Sequence, residues 1–295
     1  MGDPTVEDDV YHVRILADSL SPANVRLVTF EATYPRIIHA EFMTHRVFSR
    51  NAASSRAIPV DKLIKRVQEH PVRPVYWGKN QKGMQAEEEL SDEQRQQAEA
   101  VWIEARDAAI SFANRLREIG VHKQIANRLI EPWMPITIIW TATEFGNFFN
   151  LRCHKAAQPE IRKLADMAAD LYYSHDPRPV DYDEWHLPLI QEDEWGLDVE
   201  LLKKLSTARC ARVSYLTHSG TRDHGEDLRL HDQLQEAGHM SPFEHVATPL
   251  KEPWAYLDSA FCGNFRGWKQ YRKFLPNENR PEFDHPANKA ERVQL

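Results

Sequence analysis

Between Thr44 and Arg56 the chain reads Thr-His-Arg-Val-Phe-Ser-Arg-Asn-Ala-Ala-Ser-Ser-Arg. His45, Arg46 and Arg56 thus bracket a run of small and hydroxyl-bearing residues that includes Ser54 and Ser55. Guanidinium forks make charge-assisted bonds to phosphate oxygens, and the backbone N–H groups of a small-residue loop add further donors. A phosphate-bearing ligand is one reading; a polar loop whose arginines cap neighbouring helices is the other. A second cluster, Asn147-Phe-Phe-Asn150-Leu-Arg152 with Gln158 and Glu160-Ile-Arg162, sets amide and guanidinium groups among aromatics. Unpaired polar groups are costly in such surroundings. Asn150 and Arg152 therefore need partners, either a planar heterocycle or a buried protein network. A third cluster joins Ala211-Arg212-Val213-Ser214 to Ser241-Pro242-Phe243-Glu244-His245. A single histidine such as His245 is more often structural than catalytic. No H-E-x-x-H, Walker loop or G-x-G-x-x-G occurs, and His231 and His239 stand eight apart. Neither a metal site nor a Rossmann dinucleotide fold is expected.

These clusters need elements to hold them. Val25–Thr33 is rich in β-branched residues and predicts a strand that Pro35 ends, followed by a short helix towards Arg46. Asn51–Pro59 reads as a loop. Ser91 with Gln94 forms a capping-box signature. It opens a long helix with Ala98, Val101, Ala105, Ala108, Phe112, Leu116 and Ile119 at helical spacing, ended by Gly120. Ile136–Asn150 reads as an aromatic-rich helix, and Pro159 suits the first turn of another. The Pro74–Met84 stretch reads as a surface loop with packed aromatics, the alternative being a lid over a folate or nicotinamide. Residues 174–200 are rich in proline, acid and tryptophan, as in a linker. Beyond them a second, smaller unit carries a helix over Glu226–Ala237, stopped by Gly238. The expected division is 1–173, 174–200 and 201–295.

Of 295 residues, 42% are hydrophobic and 27% charged, the balance of a folded globular chain. No run of apolar residues is long enough to span a membrane, and the acidic N-terminus lacks the apolar core of a secretory signal. Three scattered cysteines without a C-x-x-C pair argue against disulfides and point to a reducing, cytoplasmic setting. A net charge of −7 disfavours nucleic acid as a partner.

Taken together, the three clusters resemble the flavin-dependent thymidylate synthase family. Its hallmark is R-H-R, seven residues and a serine; Thr44-His45-Arg46, seven residues and Ser54 reproduce it with one change. Ser21-Pro22 through Tyr34-Pro35 has the length of the family strand that begins S/T-P-F-E-H. Arg128, four residues before Pro132, resembles the family's arginine-to-proline step. Asn147–Arg152 and Gln158–Arg162 resemble N-F-L-N-L-R and H-A-Q-W-E-I-R. The order is unusual: A-R-V-S and S-P-F-E-H stand near the C-terminus, followed by Arg266-Gly-Trp268-Lys-Gln-Tyr-Arg272 and Asn277-Glu278. That pattern resembles a partial duplication in which one half-copy kept the nucleotide loop and the other the histidine segment.

The resemblance implies an α+β fold with an antiparallel sheet and long helices, partly duplicated, and a homo-oligomer. It implies FAD, with NADPH as reductant, and transfer of a one-carbon unit from methylenetetrahydrofolate to C5 of dUMP. Carried over by position, His45, Arg46, Asn150, Arg152, Ser214 and His245 would hold the flavin. Ser54, Ser55, Arg56, Arg128 and Arg162 would hold the nucleotide, with Ser54 and Arg56 nearest the chemistry. This chain departs from the family pattern at Thr44, at Ala52 where the family has an acid, and at Ala156 where it has a histidine. Those departures leave a hydroxymethyl or other C5-modified product, or a non-catalytic nucleotide-binding paralogue, as alternatives.

Overall fold

The computed structural model describes residues 5–7, 10–213, 223–252 and 260–278. Its centre is a six-stranded sheet in the order β1 (Thr5–Glu7), β2 (His12–Leu20), β3 (Arg26–Pro35), β5 (Pro135–Ala142) and β4 (Ser49–Ala52), with β6 (Arg178–Pro179) parallel to β2. The β2–β3 hairpin turns on Ser21–Val25. Asn24 takes φ +60 there, and the Ser21 hydroxyl accepts from the Val25 N–H. Asparagine tolerates that left-handed conformation better than most residues. The other neighbouring pairs among β1, β2, β3, β5 and β4 are antiparallel, and β3 runs in register with β5 from Val28↔Ala142 to Pro35↔Pro135.

The helix expected over Ile136–Asn150 is instead strand β5 followed by the short helix α5 (Gly146–Arg152). Ile-Thr-Ile-Ile-Trp-Thr is buried almost throughout, so its apolar residues are continuous rather than alternating. Such a run carries no period that separates strand from helix, and its β-branched residues favour the strand. Asn51–Ala52 likewise belongs to edge strand β4 rather than to a loop. The turn at Ser55–Ala57 follows it.

The remaining helices are α1 (His39–Phe42), α2 (Val60–Glu69), α3 (Asp92–Glu118), α4 (Lys123–Ala126), α6 (Pro159–Ser174), α7 (Val199–Arg212) and α8 (His224–Ala237). The Ser91–Gln94 capping box opens α3, and Gly120 at φ +90 ends it. Of the residues at helical spacing named above, Leu116 packs against the core. Ile110 and Ala113 pack with Trp102, Leu116, α2 and Trp133, whereas Val101, Phe112 and Ile119 are 64%, 54% and 77% exposed. The helix carries two apolar stripes, and only one meets this chain.

An aromatic core of Phe30, Trp140, Phe42, Phe48, Phe145 and Phe148 fills the space between the sheet and α5–α6. The opposite face of the sheet meets the C-terminal segments, where Leu187, Leu202, Leu234, Phe243 and Tyr271 form a separate core. The ribbon β7 (Ala247–Pro249) and β8 (Trp268–Gln270) fastens this part to the sheet. Trp268 packs on Leu27 and donates to the Val25 carbonyl. Within it, Arg209 of α7 is clamped between the buried carboxylates of Glu194 and Asp227. Gly238 at φ +73 stops α8 as the sequence indicates.

Candidate functional site

Strand β4 carries a polar loop at each end. Before it, His45 is buried against Phe48 and Phe148. Arg152 on α5 donates through Nε to His45 Nε2 at 2.8 Å and forms an ion pair with Glu41. Burial, reinforced by the charges of Arg152 and Arg50, lowers the His45 pKa to about 4. The ring is therefore neutral, with Nε2 accepting from Arg152 and the proton on Nδ1. Arg50 ties down the preceding turn by donating to the Met43 and His45 carbonyls. Arg46 is exposed and has no side-chain partner among the described residues. Asn150 is exposed rather than enclosed among aromatics, while Arg152 finds its partners within the protein.

After β4, the turn at Ser54–Ala57 is held from below. Ser55 donates to Glu131 at 2.7 Å, and the buried Asn127 amide donates to the Ser55 and Ile58 carbonyls. Glu131 also receives Arg128 at 2.7 Å and Arg36 at 3.1 Å. Ser55 and Arg128 are thus engaged with one carboxylate. Arg56 is exposed and its Nε lies 3.5 Å from the Ser54 hydroxyl. One residue escaped sequence reasoning: Arg66 on α2 faces Ser54, Ser55 and Thr137 across a cavity of about 10 Å³, room for about one water. Burial lowers its pKa, and no carboxylate offsets that cost. Its signal is an arginine beside the apolar positions Leu63, Ile64 and Val67 of a short helix.

Arg162 lies elsewhere, on α6, in a cavity of about 670 Å³ that shares no lining residue with the Ser54 space. Val75, Tyr76, Lys155 and Met167 also line it. The 75–90 loop forms its roof. The buried Glu160 carboxylate accepts from the Val75 N–H at 3.0 Å, and Gln85 donates to the Ala156 carbonyl. Trp77 in this loop packs edge-on against Trp102, in keeping with packed surface aromatics. Cys153, next to Arg152, has its thiol pushed up to about 12 by burial and by the nearby Asp166 and Asp170. It is protonated at neutral pH and a poor nucleophile.

His245 has no exposed surface. Its Nδ1 lies 2.7 Å from the Thr141 hydroxyl and its Nε2 3.2 Å from the Asn51 side chain. Gln270 and Asn264 bond Ser49 on the same edge strand. The Ser241–His245 segment therefore packs on the face of β4 to which Ser49 and Asn51 project. Ser214 lies outside the described residues. No group of three or more potential metal ligands, and no helix long and apolar enough to cross a membrane, occurs among the described residues.

Residues 9–178 match the family model described as thymidylate synthase complementing protein. No curated protein matches the chain. Among solved structures, it is similar to a UMP/dUMP methylase, PolB from Streptomyces cacaoi, bound with 5-Br dUMP. The two are 19% identical over 50% of this chain and 66% of that one, with a TM-score of 0.40. The same enzyme bound with 5-Br UMP is 18% identical over 58% of this chain and 92% of that one, with a TM-score of 0.45.

Proposed function

This chain belongs to the flavin-dependent thymidylate synthase family, whose model matches more than half of its 295 residues, and from that premise we propose that it modifies C5 of a pyrimidine nucleotide. The specific reaction proposed is transfer of a one-carbon unit from methylenetetrahydrofolate to dUMP, with NADPH as reductant and FAD as the bound cofactor.

The observation that carries this reading is the spacing of the two polar loops. The four residues of β4, at about 3.3 Å per step, hold the starts of the two loops about 10 Å apart. A single phosphate cannot bridge them. Two anionic ligands side by side, a dinucleotide cofactor and a nucleotide, suit the separation. The residues at the first end fit a flavin dinucleotide: Arg46 is an exposed cation with no side-chain partner among the described residues, Asn150 offers an exposed amide, and Arg152 with neutral His45 backs them. When bound, FAD supplies the hydride and one-carbon chemistry. The chain's own part is to bind and orient. At the second end, the Ser54 hydroxyl and Arg56 would meet the nucleotide, with Arg66 completing the anion site. Ser55 and Arg128, joined through Glu131, would hold the loop in shape.

Arg162 would serve a Ser54 loop from a second copy of the chain, since the two occupy separate cavities here. The exposed Val101, Phe112, Ile119, Ile125 and Leu129 support such a homo-oligomer. His245 could reach a flavin only by releasing Thr141 or Asn51, so a role in orienting β4 is the better fit to its bonds. The first half-copy, residues 1–173, would then provide the ligand loops. The 174–200 connection and 201–295 would cover the Ser49 and Asn51 face of β4. A hydroxymethyl or other C5 product is the second reading, favoured by Thr44, Ala52 and Ala156. A non-catalytic, nucleotide-binding paralogue is the third.

The test is a visible spectrum of purified protein, repeated with added FAD and then dUMP. Flavin absorption that shifts with dUMP supports adjacent cofactor and nucleotide sites, and the methylated or hydroxymethylated product then separates the first two readings. No retained flavin after reconstitution overturns the cofactor assignment and leaves the paralogue.

A further inference from the structure

Six buried or nearly buried side chains cross one face of the sheet in an unbroken file. The Asn51 amide on β4 meets His245 Nε2 at 3.2 Å, and His245 Nδ1 meets Thr141 Oγ1 on β5 at 2.7 Å. Thr141 Oγ1 meets Thr29 Oγ1 on β3 at 2.7 Å. Thr29 Oγ1 meets His186 Nε2 at 2.7 Å, and His186 Nδ1 meets the Ser19 hydroxyl on β2 at 2.9 Å. Thr29 and Thr141 are register partners, so the file runs across four adjacent strands, with the two histidines supplied by the connecting segment and the C-terminal unit.

Each hydroxyl and each neutral imidazole has one hydrogen to give along this file. Burial holds both histidines neutral, with pKa values of about 3. Five links need five of the six available hydrogens, and two arrangements keep one direction throughout. In one, every donor points from Ser19 towards Asn51, whose oxygen accepts from His245. In the other, every donor points from the Asn51 nitrogen towards Ser19. The remaining arrangements converge on Thr29 or Thr141, which would accept on both sides and turn its own hydrogen out of the file. Both threonines are fully buried and bond nothing else among the described residues, whereas Ser19, at the end of the file, keeps 3% exposure and is the better place for an idle hydrogen.

The surroundings of Asn51 choose between them. The amide atom nearest His245 also lies 3.0 Å from the Arg50 carbonyl and 3.3 Å from the Ser241 carbonyl. An oxygen there would face two acceptors; a nitrogen there has two hydrogens for them, one of them shared between a carbonyl and His245 Nε2. The opposite arrangement gains only an acceptor for the Ser19 hydroxyl. Burying lone pairs against carbonyls at two contacts costs more than leaving one hydroxyl hydrogen without an acceptor.

We propose that Asn51, His245, Thr141, Thr29, His186 and Ser19 act as one relay of fixed polarity, set by the Asn51 amide, that holds both histidines as Nδ1–H tautomers and makes Thr29 and His186 positioning residues for the β4 edge. A free neutral imidazole prefers its proton on Nε2, so two buried Nδ1–H rings are a distinctive signature. The relay is a two-state element with one end at the strand that carries the Ser54 loop and the other at β2. Its bearing on ligand binding rests on the proposed function; its existence does not.

The test uses ligand-free, full-length protein labelled with 15N at histidine. Long-range proton–nitrogen spectra report which ring nitrogen carries hydrogen, and His186→Gln and His245→Gln assign the two rings. Both rings are expected as Nδ1–H. Asn51→Ala removes the donor that fixes the polarity, the Ser19 hydroxyl regains an acceptor, and both rings are expected to move together towards Nε2–H. Adding Thr29→Val, which keeps side-chain volume, should leave His186 unresponsive to residue 51. A wild-type spectrum with either ring as Nε2–H overturns the polarity without any variant. A response to Asn51→Ala confined to His245 overturns the coupling. Failure of these signatures leaves the flavin and nucleotide titrations unaffected, so the two proposals stand or fall separately.

Discussion

Arg209 lies between two buried carboxylates, and its replacement by glutamine measures what holds the C-terminal unit together. Its guanidinium donates to both Glu194 oxygens at 2.6 Å, to Asp227 at 3.0 Å and to the Leu189 carbonyl at 2.9 Å. Removing one partner of a buried ion pair typically costs about 3–5 kcal/mol, because the remaining charges stay buried without compensation. An independent route gives the same order. Bonding to Arg209, against the opposing effect of burial, lowers the Glu194 pKa from 4.5 to about 2. That displacement is worth about 3 kcal/mol of stability at neutral pH. The sign follows from proton binding: between these two values the unfolded chain holds more protons than the folded one. The contribution is complete above pH 4.5 and is lost as pH falls towards 2. Arg209→Gln should therefore unfold about 3 kcal/mol more easily in urea at pH 7, followed by tryptophan fluorescence. Its further loss of stability below pH 4.5 should be shallower than that of the wild type. A variant within about 1 kcal/mol of the wild type, or one with an undiminished acid slope, would refute the assignment of this cluster as the clamp.

Three further outcomes are expected. Ser54→Ala should lower turnover by on the order of 100-fold through lost substrate positioning, with unchanged circular dichroism and melting; near-normal turnover removes Ser54 from the reaction. Arg66→Met should weaken dUMP binding by about tenfold or more, the loss of one charge-assisted bond. It should not lower the melting temperature, because the half-buried cation has no carboxylate partner among the described residues to strand; unchanged affinity by calorimetry sinks its role. Phe112→Glu places a charge in the exposed α3 stripe and should shift light-scattering mass towards smaller species, whereas an unchanged mass distribution means that copies meet elsewhere.

The elements most legible in the sequence were those whose local chemistry is self-sufficient. The α3 capping box, the proline at the start of α6 and the glycine after α8 need no tertiary partner to act, and each lies where its residues indicate. Strand β5 was misread because its burial on both faces erases the alternation that marks a half-buried strand. The buried face of α3 is not legible in the sequence, because Phe112 and Ile110 belong to different stripes of similar apolar character and helical periodicity cannot say which one meets the protein. In the candidate site, the loop from His45 to Arg56 was visible as a motif, but its division by strand β4 was not. Arg66 was invisible because nothing local to α2 marks its facing Ser54. The partners of Asn51 were equally hidden, since His245 stands 194 residues away.

The unusual motif order becomes intelligible at the β4 edge. The C-terminal segments pack on the face of the sheet to which Ser49 and Asn51 project. Here the cover is polar and specific: His245 and Ser241 on Asn51, Gln270 and Asn264 on Ser49. Residues 49 and 51 alternate towards that cover, as the period of a strand requires. Arg50 points the opposite way, to the carbonyls of the His45 turn. One short strand thus faces two demands, with Ser49 and Asn51 bound by the C-terminal segments and Arg50 by the His45 turn. A change at Ala52 falls on the aromatic-core side and leaves the contacts of Ser49 and Asn51 with the C-terminal segments in place. Changes at Ser49 or Asn51 would do the reverse. For that reason the two faces of β4 can be altered separately, and a variant that loses the contacts of one need not lose those of the other.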